Sequence, residues 1–166
     1  MTSAAQRWAD DLASWAIPPD ILERAPEPPW GFPVACFARG AEMALAEELG
    51  IGRDRVYIAN VVKCRPPGNR DPRPEEVASC RPYLERQIEL VDPAVIVTLG
   101  NFATRLLLDA TEGIRALRGS AYPYGRAVVV PTFHPSFVLR SGGMGEAMAG
   151  LRADLVRAKE HLRVRA

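Results

Sequence analysis

Val95-Ile96-Val97-Thr98-Leu99-Gly100-Asn101 is an apolar run of one strand's length that ends on a glycine. A run rich in β-branched residues that does not alternate with polar ones suits a strand buried on both faces, as in a parallel sheet. A helix is expected after Gly100-Asn101, to about Leu108, so the run opens a strand-to-helix unit. Working outward, Ala127 to Val130 reads as a second apolar strand and Val56 to Val62 as a third. Glu42 to Leu49 reads as a helix closed by Gly50, with Gly52 in the turn. Pro74 to Val91 reads as a helix that Pro82 must kink or split, and Glu146 to Leu162 as a closing helix. Helices alternating with apolar strands imply right-handed crossovers. The expected fold class is therefore α/β, a three-layer α/β/α arrangement with a central, mostly parallel sheet. Ligands of such sheets bind beyond the carboxyl ends of the strands, and Asn60, Cys64, Gly100 and His134 fall at or just past those ends.

The chain has 166 residues, enough for one ordinary core, with 48% hydrophobic and 25% charged residues. These proportions exclude wholesale disorder. Net charge is +1, which does not by itself announce nucleic acid. Phosphate contacts need only a local basic surface, and Lys63, Arg65, Arg70 and Arg73 crowd one loop while Arg140 closes another. No signal peptide and no membrane-length apolar run is visible, so a cytoplasmic monomer with no membrane partner is the expectation. Three cysteines without a secretion signal argue against a disulfide framework and leave reduced thiols or metal ligands.

Two loops look equipped for chemistry. In Ala59-Asn60-Val61-Val62-Lys63-Cys64-Arg65-Pro66-Pro67-Gly68-Asn69-Arg70 an apolar stretch empties into a rigid basic loop. The amide of Asn60 can donate and accept at once, which reading a nucleobase edge requires. Pro131-Thr132-Phe133-His134-Pro135-Ser136-Phe137-Val138-Leu139-Arg140 repeats the design with His, Ser and Arg. Taken singly, Asn60 could be a turn former, His134 a capped loop residue, and Phe137 to Leu139 the packing face of a returning helix.

Together these segments resemble the iron-sulfur uracil-DNA glycosylases of family 4. The matching pieces are Val56 to Pro72, Cys80-Arg81-Pro82-Tyr83-Leu84, Val95 to Gly100, Arg118-Gly119 and Thr132 to Arg140, within roughly residues 40 to 160. The resemblance implies hydrolysis of the N-glycosidic bond of uracil in DNA. Asn60 would read the flipped base, and His134 would hydrogen-bond the uracil oxygen that gains charge. Lys63, Arg65, Asn69, Arg70, Ser136 and Arg140 would grip the DNA, with Phe137 or Leu139 as a wedge. It further implies a 4Fe-4S cluster with Cys64 and Cys80 among its ligands. Such a cluster wants four thiolates, yet only Cys36 precedes Cys64 and no Cys-x-x-Cys occurs.

Residues 1–38 depart from the family. They lack the Gly-Glu-x-Pro-Gly loop, whose acidic residue is associated with the attacking water, and the strand before it. Phe37 or Phe32 is left as a stacking platform for uracil. A helix over residues 5–16 and a Pro-rich stretch over 17–35 look like the leader of some bacterial S-adenosylmethionine-dependent methyltransferases. The expected division is a non-family segment, 1–38, and a glycosylase-like domain, 39–166, whose first strand is missing. The competing expectations are a DNA-binding remnant without catalysis and a cysteine-based metal or redox protein.

Overall fold

Strand β2, Val95–Leu99, is buried along its whole length, as its unalternating sequence demands. The computed structural model describes residues 34–35, 50, 56–63, 66, 70–142 and 145–164, all within the unit Gly31–Ala166. Against β2 lie β1, Val34–Ala35, and β4, Ala127–Thr132, both parallel to it. A short β3, Tyr122–Tyr124, pairs antiparallel with β4 and gives the sheet order β1-β2-β4-β3. The expected α/β class with a mostly parallel sheet is what forms.

Alternate residues of β2 feed opposite faces. Val95, Val97 and Leu99 join Val130, Leu151, Leu155 and Ala158, the last three from the closing helix α5, Glu146–Val164. Ile96 joins Val129, Leu84 of α1, Pro74–Val91, and Ala103 and Leu107 of α2, Asn101–Leu108. Each fully buried aliphatic side chain contributes roughly 1.5–3 kcal/mol, so both helical layers are held to the sheet by apolar burial. No helix among the described residues is long and apolar enough to cross a membrane.

Four local expectations change. Val56 to Val62 is not a strand. Its side chains alternate as in one, Val56 and Ile58 toward the first cluster and Tyr57, Ala59 and Val61 toward the second. Packing between the layers, without a ladder to the described strands, accounts for that pattern. Pro82 does not split α1, which runs unbroken for 18 residues. Its missing amide leaves the carbonyl of Ala78 without an intrahelical partner, but both residues are exposed to water, and Leu84 anchors the helix from the other side. The stretch read as a Pro-rich linker carries a two-residue strand, Val34–Ala35, which pairs with Val95 and Ile96. Finally, the β3–β4 hairpin and two short helices, α3, Ile114–Leu117, and α4, Pro135–Arg140, were not anticipated as elements. The helices expected over residues 5–16 and 42–49 lie outside the described residues.

Candidate active site

Where β2 and β4 end, their carboxyl termini open into a cleft of about 720 Å³. Gly100 and Asn101 line it from β2, and Phe133, His134, Ser136, Phe137 and Arg140 from β4 and α4. Arg70, Asp71 and Pro72 form another wall, and Gly113, Ile114 and Arg115 a third. The first loop reaches the cleft through Arg70, and the second through His134, Ser136 and Arg140. Asn60 is exposed and is not among the described residues lining the cleft.

His134 is the N-cap of α4, with Pro135 in the first helical position. The imidazole itself does the capping. The Ser136 amide donates to Nδ1 at 3.1 Å, and the Ser136 hydroxyl lies 2.7 Å from the same nitrogen. An amide can only donate, so Nδ1 must accept and the neutral ring carries its hydrogen on Nε2. No described residue takes that Nε2–H. Burial pushes the His134 pKa down, and the Arg140 guanidinium pushes it the same way. The side chain is therefore an uncharged hydrogen-bond donor at neutral pH.

Gly100 fixes how close the ring can come. Its amide donates to the Thr132 carbonyl at 2.9 Å, tying the ends of β2 and β4 together. Its φ of 83° is one that L side chains avoid, and a Cβ there would stand 3.1 Å from the His134 Cβ. Thr98, Thr104 and the Gly100 carbonyl form a buried hydrogen-bonded chain at 2.9 and 2.8 Å that secures the start of α2. Asn101 Oδ1 accepts from the Ile114 amide at 2.7 Å, so one side chain joins the starts of α2 and α3.

The basic residues divide sharply. Arg70 reaches the cleft but is forked onto Glu76, with Nη1–Oε2 at 2.9 Å and Nη2–Oε1 at 2.6 Å. Glu76 also accepts the Arg73 amide at the start of α1, and these bonds hold its pKa down at about 2. Lys63, expected to face DNA, instead gives its ammonium to Gln87 Oε1 at 2.6 Å and to the Asn60 carbonyl at 2.9 Å. Burial against α1 lowers its pKa to about 8. Arg140 is exposed on the cleft rim, and Leu139 beside it is 71% exposed. Ser136, read as a DNA-gripping residue, spends its amide and hydroxyl on His134. Arg65, Asn69, Phe37 and Cys64 lie outside the described residues.

Cys80 is a free, half-buried thiol whose sulfur accepts the Lys63 amide at 3.3 Å. An N–H bond of this kind suits a thiolate, but the described residues contain no group of three metal-ligating side chains. With Cys36, Cys64 and Cys80 as its only cysteines, the sequence supplies three thiolates where a four-iron cluster takes four. The residues present do not fit a four-thiolate cluster.

Behind the cleft, Asp154 of α5 is fully buried. It accepts from Arg118 Nε at 3.0 Å and from the Gly119 amide at 3.1 Å, with Arg157 Nη1 3.6 Å away. Sequence reasoning gave Arg118-Gly119 no role and passed over Arg115, Phe102, Asp71 and Asp154. The arginine-glycine pair was the available signal for Asp154. Cleft-lining residues on short unanticipated helices gave none.

Sequence comparison identifies the family to which this sheet and its histidine-bearing cleft belong. The profile of the uracil DNA glycosylase superfamily matches residues 22–156. A type-4 uracil-DNA glycosylase of Thermotoga maritima is 43% identical over 132 residues, covering 76% of this chain and 68% of the relative. Type-4 enzymes of Sulfurisphaera tokodaii and Saccharolobus solfataricus are 43% and 41% identical over 103 and 124 residues. Those matches cover 57% and 70% of this chain, and 47% and 56% of the relatives. The chain belongs to the uracil DNA glycosylase superfamily and, within it, to the type-4 family. It spans about half to two thirds of the length of these relatives.

Proposed function

We infer that this protein is a uracil-DNA glycosylase that hydrolyses the bond between uracil and deoxyribose and leaves an abasic site, the first step of base excision repair. The observation that carries the reading is the Ser136 amide on His134 Nδ1, which leaves a neutral ring with its hydrogen on Nε2 at the cleft. As the glycosidic bond breaks, negative charge builds on the departing base, and a fixed donor at the uracil oxygen stabilises it without giving up its proton. A neutral donor suits this task because it keeps that hydrogen without needing to titrate.

Asn60 pairs with the polar edge of the flipped-out uracil. Its exposed side-chain amide makes no bond to a described residue, and cytosine presents the reversed donor and acceptor pattern. Phe37 is the stacking partner in this reading. Arg140 and Arg70 meet phosphate, joined by Arg65 and Asn69, and Leu139 enters the base stack. Ser136 serves by holding His134. Lys63 supports the loop through Gln87 more than it meets DNA.

A uracil-containing oligonucleotide tests this directly. Replacement of His134 by Ala should cut uracil release on the order of a hundredfold, and Asn60→Ala comparably, with binding to undamaged DNA little changed. Unchanged release in both variants would refute the assignment. One observation favours a second reading, a DNA-binding remnant of the family: Asp71 is the one carboxylate among the described residues lining the cleft, and it is exposed. That reading predicts tight binding of the oligonucleotide with no release by the native chain.

A further inference from the structure

The turn that carries His134 is gripped from behind. Phe133 precedes it and is buried, and Phe137 follows it on α4, with the two ring centroids 5.1 Å apart. Both ends of the segment 133–137 thus belong to one aromatic pair. On the Phe133 ring lies the Arg118 guanidinium, its carbon 4.9 Å from the centroid. A guanidinium over an aromatic face in a half-buried setting is a directional contact.

Arg118 is held in place from α5. Asp154 takes its Nε and, with the other carboxylate oxygen, the amide of the next residue, Gly119. Gly150 lies one helical turn before Asp154, on the same face. It supplies the space, because a Cβ at 150 would stand 2.7 Å from Arg118 Nη2, 2.8 Å from its Cζ and 3.1 Å from Phe133 Cε2. A glycine inside a 19-residue helix is costly for the helix itself, and here it leaves room for the plane of the guanidinium.

We propose that Arg118, seated by Asp154 and Gly150, is a positioning residue that fixes the Phe133–Phe137 pair so that His134 Nδ1 meets the Ser136 amide and Nε2 faces the cleft. The proposal rests on the reading of His134 as the uracil-facing donor, but its first consequence is a tautomer that can be observed without any substrate. If the stack loosens, the Ser136 bond to Nδ1 lengthens, and the hydrogen of the neutral ring spreads over both nitrogens.

The test uses the full chain, which has only two histidines, His134 and His161. With nitrogen-15 in the rings, His161→Gln assigns the spectrum. Native protein should show one protonated and one unprotonated nitrogen for neutral His134. In Gly150→Ala the two signals should converge. Uracil release at saturating DNA should fall on the order of tenfold, as expected of a displaced catalytic group, with half-saturating DNA changed by less than about threefold. Alanine is the better helix former, so a general structural role for Gly150 predicts equal or greater stability and native ring signals. Arg118→Ala should act in the same way. Should it fail to fold because buried Asp154 loses its nearer charged partner and keeps only Arg157, 3.6 Å away, Gly150→Ala decides alone, since it keeps both charges. Native ring signals and native release in Gly150→Ala would overturn the proposal. A native chain that releases no uracil while its ring signals still respond to Gly150→Ala would condemn the functional reading and leave the positioning role standing.

Discussion

Replacing Gly100 with alanine should damage stability and rate together, by routes that can be separated. The backbone at 100 has φ 83° and ψ −177°, a region that is essentially glycine-only and costs another residue about 1–3 kcal/mol. The new methyl carbon would also stand 3.1 Å from the His134 Cβ, inside ordinary contact distance. Crowding of this kind adds roughly 1 kcal/mol or more, for a total of about 2–4 kcal/mol. In a chain of this size that lowers the melting temperature by about 5–15 °C. Relief of the contact moves His134 by a few tenths of an ångström, so single-turnover uracil release should slow on the order of tenfold. The assay pairs thermal unfolding with uracil release, measured well below both melting temperatures. Gly125→Ala is the control, because Gly125 also has positive φ, 55°, but nothing lies within 4 Å of its Cβ position. It should lose stability and keep its rate. If Gly100→Ala melts like the native chain and releases uracil at the native rate, the close approach does not govern the histidine and the geometric argument is wrong.

Three further outcomes follow from the same geometry. Because burial and Arg140 lower the His134 pKa below its ordinary 6.5, uracil release should hold until the pH has fallen below that value. Arg140→Gln should shift the acid limb to higher pH in a pH–rate profile. The depressed folded-state pKa means that the unfolded chain binds the proton more readily, so His134's contribution to stability is complete above pH 6.5 and is lost as pH falls through its folded pKa. Lys63, lowered from 10.5 to about 8, limits the gain from Lys63→Met at neutral pH to about 3 kcal/mol. Loss of the bonds to Gln87 and Asn60 offsets about 1 kcal/mol or more of this. The advantage should be full below pH 8 and gone above 10.5, as followed by chemical unfolding across that range. Protein reconstituted with iron and sulfide without oxygen should hold fewer than four irons per chain by metal analysis. A stoichiometric four-iron cluster would show that a ligand other than cysteine completes it.

The layers were legible because their signals are local. Val95–Leu99 is apolar without alternation, and Gly100-Asn101 marks where it must stop, so both bounds of β2 and the whole of α2 followed from sequence. Residues 56–62 misled because alternating burial between two helical layers leaves the same imprint as a strand. The hairpin escaped notice because Tyr122-Pro123-Tyr124 places a proline where a strand pattern would have an amide. At the site, His134 could be selected from its neighbours, but its protonation state depends on an amide two residues later. Lys63 and Arg70 read alike as loop cations. Only the fold reveals that Gln87 draws one inward and Glu76 pins the other at the rim.

Pro123 has a consequence for life in a crowded cell. In the β3–β4 hairpin, Tyr124 and Ala127 flank a two-residue turn, so Pro123, opposite Val128, sits at a position whose backbone nitrogen points away from β4. An ordinary residue would offer a hydrogen-bond donor to any passing strand at this outermost edge. Proline offers none, and the strand is only three residues long. Among the described strands the sheet therefore ends at β3, and one copy of the chain gains little by zipping onto another along that side.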